Sequence, residues 1–130
     1  MRPFIALIAA GLVLAAAADV AAQARAPAQR QTLVDLAYVI GRSHALRQAC
    51  AGAADQYWRE RMQQLIATEA PDAGFERDLQ ASFNSGYAAA QAAFPRCGAP
   101  ARREQAKAAA RGRELAASLA GTVAEDDPTR

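Results

Sequence analysis

Residues 33–50 read LVDLAYVIGRSHALRQAC, and the predicted topology follows from this stretch and a second cysteine at Cys97. Its apolar residues recur at spacings of three and four, which is the period of one helix face. That face consists of Leu33, Leu36, Ala37, Ile40 and His44. Thr32 followed by Asp35 resembles a capping box. The pattern therefore predicts a helix from about Thr32 to Ala49, with the Cys50 thiol at its end.

Turn and cap residues divide the rest of the chain into three further helices. Aspartates are good N-caps, and glycines and prolines end helices. We expect helix two at 55–70, helix three at 72–94 and helix four at 100–121. The inward face of helix two is predicted to be Trp58, Met62, Leu65 or Ile66, and Glu69. That of helix three is predicted to be Leu79, Phe83, Gly86 with Tyr87, Ala90 and Phe94. That of helix four is predicted to be Glu104, Ala108, Gly112, Leu115 and Leu119.

An export signal is expected over residues 1–24. A positive start precedes an apolar run at residues 4–18, and Ala22-Gln23-Ala24 is a small-x-small cleavage site. A membrane anchor is the alternative, but a spanning helix needs about 20 apolar residues, and Asp19 closes this run early. No cysteine near the cleavage site is available for a lipid. We therefore predict a periplasmic protein that begins at Arg25 and keeps no transmembrane anchor.

The remaining chain is rich in alanine and poor in large aliphatic residues. Residues 25–130 hold 27 alanines against 15 Leu, Ile, Val and Phe together. Such a composition with high net charge would indicate disorder, but the formal net charge is only +2, and alanine is the best helix former. We predict one domain of closely packed helices at 32–121, between a disordered lead-in at 25–31 and a disordered acidic tail at 122–130.

The two cysteines are predicted to form one structural disulfide. Paired cysteines are typical of small exported domains. In an up-down-up-down four-helix bundle the first and third helices run the same way, so Cys50 and Cys97 fall at the same end. A redox couple would show Cys-x-x-Cys and a zinc site further Cys or His ligands, whereas the chain has one histidine. We predict a small all-α bundle of this topology, with no metal and no cofactor.

The cysteine alignment also predicts which small residues face each other. Residues 47 apart fall at about the same level, which sets Gly41 near Ala88 and Ala45 near Ala92. Small residues facing each other allow helix backbones to approach closely. A large side chain at Gly41 is then expected to overpack the interface.

Three motifs stand out between residues 33 and 97. They are Gly41-x-x-His44-x-Leu46-Arg47-x-x-Cys50, Trp58-Arg59-x-Arg61-Met62, and Phe83-Asn84-x-Gly86-Tyr87 with Cys97. Together they resemble a family of short exported bacterial proteins of unknown function. The resemblance covers about Leu33 to Cys97. It implies a periplasmic all-helical domain, and it implies no enzymatic activity.

Polar residues on inward faces gather at the disulfide end of the predicted bundle. His44 lies about 9 Å below the crosslink at 1.5 Å per residue, and Trp58 and Glu104 begin the two descending helices. Glu104 is expected to pair with Arg47 or His44, either as a network that seats helix four or beside a binding surface. Aromatic and arginine residues are enriched at binding hot spots. The predicted binding patch consists of His44, Arg47, Trp58, Arg59, Arg61, Asn84, Tyr87 and Glu104.

No motif in the chain predicts catalysis or nucleic-acid binding. No serine lies in a Gly-x-Ser-x-Gly turn, and the acids are scattered beside arginines, as Glu60 is. The basic residues Arg103, Lys107 and Arg111 lack both a large apolar partner face for membranes and interleaved aromatics for nucleic acid. We expect a non-enzymatic interaction module of the cell envelope that binds an envelope protein or polymer. The alternative is a small-molecule binder or enzyme with a pocket at the disulfide end.

Overall fold

A computed structural model describes residues 25–125, which fold into four α-helices. These are α1 (Pro27–Ala51), α2 (Tyr57–Glu69), α3 (Ala73–Ala93) and α4 (Ala99–Glu125). The described range contains no strand, and the predicted small all-α bundle with one disulfide is confirmed. The predicted signal peptide at 1–24 and the end of the predicted tail, 126–130, lie outside the described residues.

The first helix begins at Pro27 rather than at Thr32. Proline suits the first turn of a helix because its missing N–H would have no intrahelical partner there. Thr32 therefore lies inside α1, where its hydroxyl donates to the Ala28 carbonyl at 3.0 Å instead of capping the helix. The prediction of a disordered lead-in at 25–31 is wrong.

Arg25 also has a fixed place, because it binds the end of α2. Its guanidinium donates two hydrogen bonds of 2.8 Å to the two carboxylate oxygens of Glu69. This bidentate geometry is the strongest form of an arginine–carboxylate contact. The hydrogen bonds that Arg25 donates to Glu69 also raise the pKa of Arg25. Glu69, expected on an inward face, is thus largely covered by the residue that precedes α1.

Local chemistry explains the other helix ends. The Asp72 side chain caps α3 by accepting from the Phe75 N–H at 2.9 Å, as predicted. At the end of α2, Ala70 adopts the left-handed conformation with φ of 43°, which is a common helix termination. α4 continues through Gly121 to Glu125, so the predicted tail is helical up to that residue. A glycine costs a helix only about 1 kcal/mol relative to alanine, which does not end a helix of this length.

α1 lies at the centre of the fold and packs against each of the other helices, most extensively against α3. Ser82 in α3 donates to the Val34 carbonyl of α1 at 2.7 Å, and the disulfide joins the later ends of the same helices, so α1 and α3 are parallel. The sequence predicted one buried face for α1, but α1 is buried on several sides. Its buried residues are Leu33, Leu36, Ala37, Val39, Ile40, Gly41, Ser43, His44, Ala45 and Leu46.

Two glycines allow the backbones of α1 and α3 to touch. A Cβ atom on Gly41 would overlap the Phe83 carbonyl of α3, and a Cβ atom on Gly86 would overlap the Tyr38 carbonyl of α1. Each glycine therefore faces the backbone of the partner helix. The close approach predicted at Gly41 is confirmed, and Gly86 is its counterpart.

The register of this contact differs from the predicted one. Gly41 faces the turn from Phe83 to Tyr87 and not Ala88. Ala45 packs in a cluster with Ala90, whereas its predicted partner Ala92 is exposed. The reason is that α3 ends at Ala93, so the residues leading to Cys97 do not follow helical spacing.

The disulfide joins Cys50, in the last turn of α1, to Cys97, in the link between α3 and α4. Their Cα atoms are 4.7 Å apart, which is within the usual range for a disulfide. A small cluster of Ala45, Leu46, Ala90 and Ala101 lies at this end, with Tyr87 and Phe94 packed against it. The larger cluster, which contains Leu33, Leu36, Met62, Phe75, Leu79, Phe83, Leu115 and Leu119, fills the rest of the core.

The disulfide is expected to supply a large part of the stability. Replacing Cys50 with serine should lower the free energy of unfolding by roughly 4 kcal/mol, because the crosslink closes a long loop in the unfolded chain. Urea unfolding with and without reductant measures this effect. Reductant should destabilise the parent to the same extent and leave the variant unchanged. Two free thiols in the native protein would contradict the expectation.

The glycine contact gives a second expectation with a matched control. Gly41→Ala should lower the free energy of unfolding by about 1–3 kcal/mol or more, because the new Cβ meets backbone atoms. Gly112→Ala should be neutral or stabilising by up to about 1 kcal/mol, because its Cβ would lie 3.6 Å from a Val39 methyl group. Thermal unfolding of both variants tests this expectation. Equal stability of the two variants would mean that the helix contact is looser than described.

Candidate functional site

The structure divides the predicted binding patch into separate places. Arg47, Trp58 and Arg61 gather around Tyr57. Arg59 and Asn84 line a groove between α2 and α3. His44 is buried beneath them, and Tyr87 is tied to α1 through a hydrogen bond of 2.8 Å to Gln48. Glu104 lies on another side of α1.

We define the Tyr57 cluster as Arg47, Asp55, Tyr57, Trp58 and Arg61. Tyr57 is 41% exposed, and the Arg47 and Arg61 guanidinium carbons lie 4.8 and 4.9 Å from its ring centroid. Trp58 meets the same ring edge-on at 5.1 Å. Cations this close to an aromatic ring are attracted by its quadrupole. The cluster therefore exposes an aromatic ring bordered by two positive charges.

The cluster is held in place by the loop between α1 and α2. The Arg47 Nε–H donates to both oxygens of Asp55 at 2.9 Å, and the Tyr57 N–H donates to Asp55 at 3.2 Å. Gln48 donates to the carbonyls of Ala53 and Asp55. The hydrogen bond from Arg47 lowers the pKa of Asp55 below its usual range. Asp55 thus stays ionised and fixes one of the two guanidinium groups.

A groove of about 250 Å³ lies between α2 and α3, beside the Tyr57 cluster. We call it the α2–α3 groove. Its rim carries Arg59, which forms no ion pair with any other residue of the described chain, and three side-chain amides. The groove is lined by Arg59, Met62, Gln63, Ile66, Gln80, Phe83 and Asn84. An arginine and amides above an apolar floor suit a small polar ligand that carries a negative charge.

His44 is 1% exposed and packs between the rings of Phe83 and Tyr87, with centroid distances of 5.8 and 5.3 Å. Its Nδ1 atom is buried and has no hydrogen-bond partner among the described residues. Burial lowers the pKa of His44, the positive charge of Arg59 lowers it further, and Asp55 acts in the opposite direction. The predicted inward position of His44 is confirmed.

Glu104 does not pair with Arg47 or His44 as predicted. It binds Arg42 at 3.2 Å and Lys107 at 2.9 Å, in a groove between α1 and α4. The hydrogen bond from Lys107 lowers the pKa of Glu104, and Arg42 adds to the effect. α4 packs on a side of α1 that Arg42 reaches and Arg47 does not. Glu104 therefore seats α4 and is separate from the Tyr57 cluster.

The sequence prediction missed Tyr57 and Asp55 as parts of the patch. Asp55 was interpreted only as a helix cap, yet its carboxylate also binds Arg47. Tyr57 does not fall on the predicted inward stripe of α2, so a pattern of inward polar residues does not include it. Its position beside Trp58 at the start of a helix was the available signal.

The described residues offer no metal-binding arrangement and no membrane span. No group of three or more His, Cys, Asp or Glu in residues 25–125 is placed to hold a metal ion. In the same part of the chain, no helix is both long enough and apolar enough to cross a membrane.

Comparison with known proteins gives one family match. The family model described as Protein of unknown function (DUF2385) matches residues 28–122, which covers all four helices. No curated protein and no solved structure matches.

His44 predicts a pH dependence of stability. The pKa of His44 is lowered in the folded state. Below about pH 6.5, His44 is therefore protonated in the unfolded chain but stays neutral in the folded chain. Stability should therefore fall as the pH drops from about 6.5 to 5, by at most about 1.4 kcal/mol per pH unit. Unfolding measured across this range tests it, with His44→Gln as the variant that lacks the slope.

An NMR titration provides an independent check, since the chain has one histidine and its imidazole signals are unambiguous. The folded protein should titrate below the usual value near 6.5. A midpoint at or above that value, or a flat stability profile in the parent, would contradict the expectation. The carboxylates of Asp55, Asp72 and Glu104 also have lowered pKa values, so their contributions are lost only at more acidic pH.

Proposed function

We propose that this chain, which belongs to the DUF2385 family, is a non-enzymatic interaction module of the bacterial cell envelope. In this proposal it works in the periplasm after removal of residues 1–24. Its partner is an envelope protein or polymer. The Tyr57 cluster is the surface that makes the contact.

The observation that carries the proposal is the composition and exposure of the Tyr57 cluster. Tryptophan, tyrosine and arginine are the residue types that most often dominate binding energy at interfaces. Here Tyr57 is 41% exposed, while Trp58 is half-buried and packs against the larger core cluster. A large ring that stays exposed beside a rigid core is a suitable anchor for a partner.

The cluster is also ordered before any partner arrives. Asp55 holds Arg47 through two contacts, and Gln64 accepts a hydrogen bond of 2.8 Å from Arg61. Binding costs free energy when long side chains lose rotamer freedom, about 0.5–1.5 kcal/mol for each one. Because both arginines are already positioned on Tyr57, part of that cost falls on folding and not on binding.

The charge of this surface favours a partner with acidic groups. Arg47 and Arg61 contribute two positive charges, and Asp55 contributes one negative charge. Arg59, one residue beyond Trp58, is exposed and adds a further positive charge. Complementary charge raises association rates and disfavours wrong partners more than it raises affinity. We therefore infer that the contacted face of the partner carries carboxylates or other anionic groups.

The periplasmic location rests on the expected signal sequence and on the disulfide. Disulfides persist in oxidising compartments such as the periplasm and are rare in the cytosol. The Cys50–Cys97 bond fits an extracellular compartment, and the expected signal sequence ends in the small-x-small site Ala22-Gln23-Ala24. Intact-mass measurement of the exported protein is the direct test of this location.

The α2–α3 groove, which lies along the middle of α2 and α3, supports a second candidate function, which is small-molecule binding. Arg59 is unpaired at its rim among the described residues, and Phe83 on its floor touches the buried His44. A volume of about 250 Å³ lies just below the range of about 300–1,000 Å³ typical of ligand pockets. A ligand of this site would be a small metabolite with a negative charge.

Variant proteins separate the two candidates. Under the interaction proposal, Tyr57→Ala and Arg61→Ala should each reduce crosslinked capture of a specific envelope partner by at least tenfold without lowering the melting temperature. Tyr38→Ala is the matched control, because Tyr38 is also an exposed tyrosine, at 36%, but lies on α1 away from the cluster.

Unchanged capture by these variants would contradict the interaction proposal. If both Tyr57 cluster variants capture the partner as well as the parent does, the cluster is not the interface. A metabolite that raises the melting temperature of the parent but not of Arg59→Ala would instead favour the α2–α3 groove, because a ligand stabilises the form that binds it.

A further inference from the structure

A third groove, of about 280 Å³, lies between α4 and the start of α2, with α1 as its floor. We call it the α2–α4 groove. From Leu36 to Ser43 its floor extends roughly 10 Å along α1, at 1.5 Å per residue. Nearly all of its lining is apolar. The lining residues are Leu36, Val39, Ile40, Ser43, Trp58, Ala108, Ala109, Gly112, Arg113 and Ala116.

The groove exists because α4 presents small side chains to it. Ala108, Ala109, Gly112 and Ala116 form one wall, and a Cβ atom added to Gly112 would only reach ordinary contact with Val39. Larger residues at these positions would fill the space between α2 and α4. The wall thus leaves a channel above the aliphatic residues of α1, and Trp58 borders it on the α2 side.

Two polar groups in the groove have no partner within the described chain. Ser43 is only 5% exposed, and its hydroxyl forms no hydrogen bond to another described residue. Arg113 is exposed at the rim and forms no ion pair there, unlike its neighbour Arg111, which binds Glu114 at 3.2 Å. The groove therefore combines apolar walls, the Ser43 hydroxyl and the unpaired Arg113 cation.

We propose that the α2–α4 groove binds an amphiphile with a linear aliphatic chain and an anionic head group, such as a carboxylate. The chain would lie over Leu36, Val39 and Ile40, and the head group would contact Arg113. This site goes beyond the interaction proposed for the Tyr57 cluster and does not depend on it.

An aliphatic chain fits the groove better than a polypeptide does. A peptide segment brings backbone N–H and C=O groups that must be hydrogen-bonded when they leave water. The side chains that line the groove offer few groups for that purpose, namely the Ser43 hydroxyl, the Arg113 guanidinium and the Trp58 indole N–H. An aliphatic chain has no such groups, and the one charge of a fatty-acid head is matched by Arg113.

Trp58 supplies the signal for a direct test, because it is the one tryptophan of the chain and lines the groove. Hexanoate, octanoate and decanoate are titrated into the oxidised protein below their micelle concentrations, and Trp58 emission is recorded. We expect saturable changes. Affinity should rise about fourfold for each methylene that enters the groove, the equivalent of about 0.8 kcal/mol. The neutral 1-octanol should bind more weakly than octanoate.

Matched variants locate the site. Ala109→Met places a larger side chain in the groove wall and should weaken octanoate binding at least tenfold. Ala110→Met changes an exposed residue outside the lining and should leave binding unchanged. Arg113→Ala should remove the difference between octanoate and 1-octanol, whereas Arg103→Ala, an exposed arginine elsewhere on the same helix, should preserve it.

If Ala109→Met fails to fold, amide chemical shifts of the parent protein can still locate the octanoate site. Octanoate should shift the signals of Ser43, Gly112 and Arg113 in the parent protein and leave those of the α2–α3 groove in place. The proposal would be overturned if emission showed no saturable change, if Ala109→Met and Ala110→Met bound octanoate equally well, or if the shifts were confined to other surfaces. Loss of preference for the carboxylate in Arg103→Ala but not in Arg113→Ala would also overturn it.

Discussion

The backbone contact between α1 and α3 determines how the other helices can pack. Few large aliphatic side chains are available, so burial must come from close approach of the helices, and Gly41 and Gly86 make that approach possible. Dispersion contacts weaken steeply as atoms separate, so a side chain at either glycine would loosen the whole interface. The disulfide holds the same two helices at their later ends. The glycine contacts and the disulfide both join α1 to α3, and α2 and α4 pack against α1 separately.

This arrangement explains why the molecule has grooves at all. α1 serves as a shared floor, while α2 and α4 contact it from different sides and are not packed extensively on each other. Spaces therefore remain between α2 and α3 and between α2 and α4. Their character follows from the helices that border them: amides and Arg59 in the first case, and alanine, glycine and Trp58 in the second. A symmetric bundle filled with leucine would have closed both.

The sequence predicted the elements and the crosslink well, because proline, glycine and aspartate mark helix ends through local chemistry alone. It predicted side-chain partners poorly. Glu104 was assigned to Arg47 or His44 by its level along the bundle, but level does not say on which side of α1 a helix packs, and Arg42 is the residue that faces it. The residues just before Cys97 are not helical, so the spacing of the two cysteines did not give the correct register of α3 against α1 either. Arg25 binds Glu69 across 44 residues of sequence, and no local pattern indicates such a pair.

Trp58 connects the two proposed surfaces. Its ring meets Tyr57 at 5.1 Å in the Tyr57 cluster and also lines the α2–α4 groove. A ligand in the groove that displaces this ring would change the surroundings of Tyr57, and any resulting coupling between ligand and partner must be reciprocal in free energy. Substitution of Trp58 alters both surfaces at once and cannot separate them. Residues that belong to one surface alone, such as Arg61 and Ala109, are therefore the ones that can assign a function to each surface.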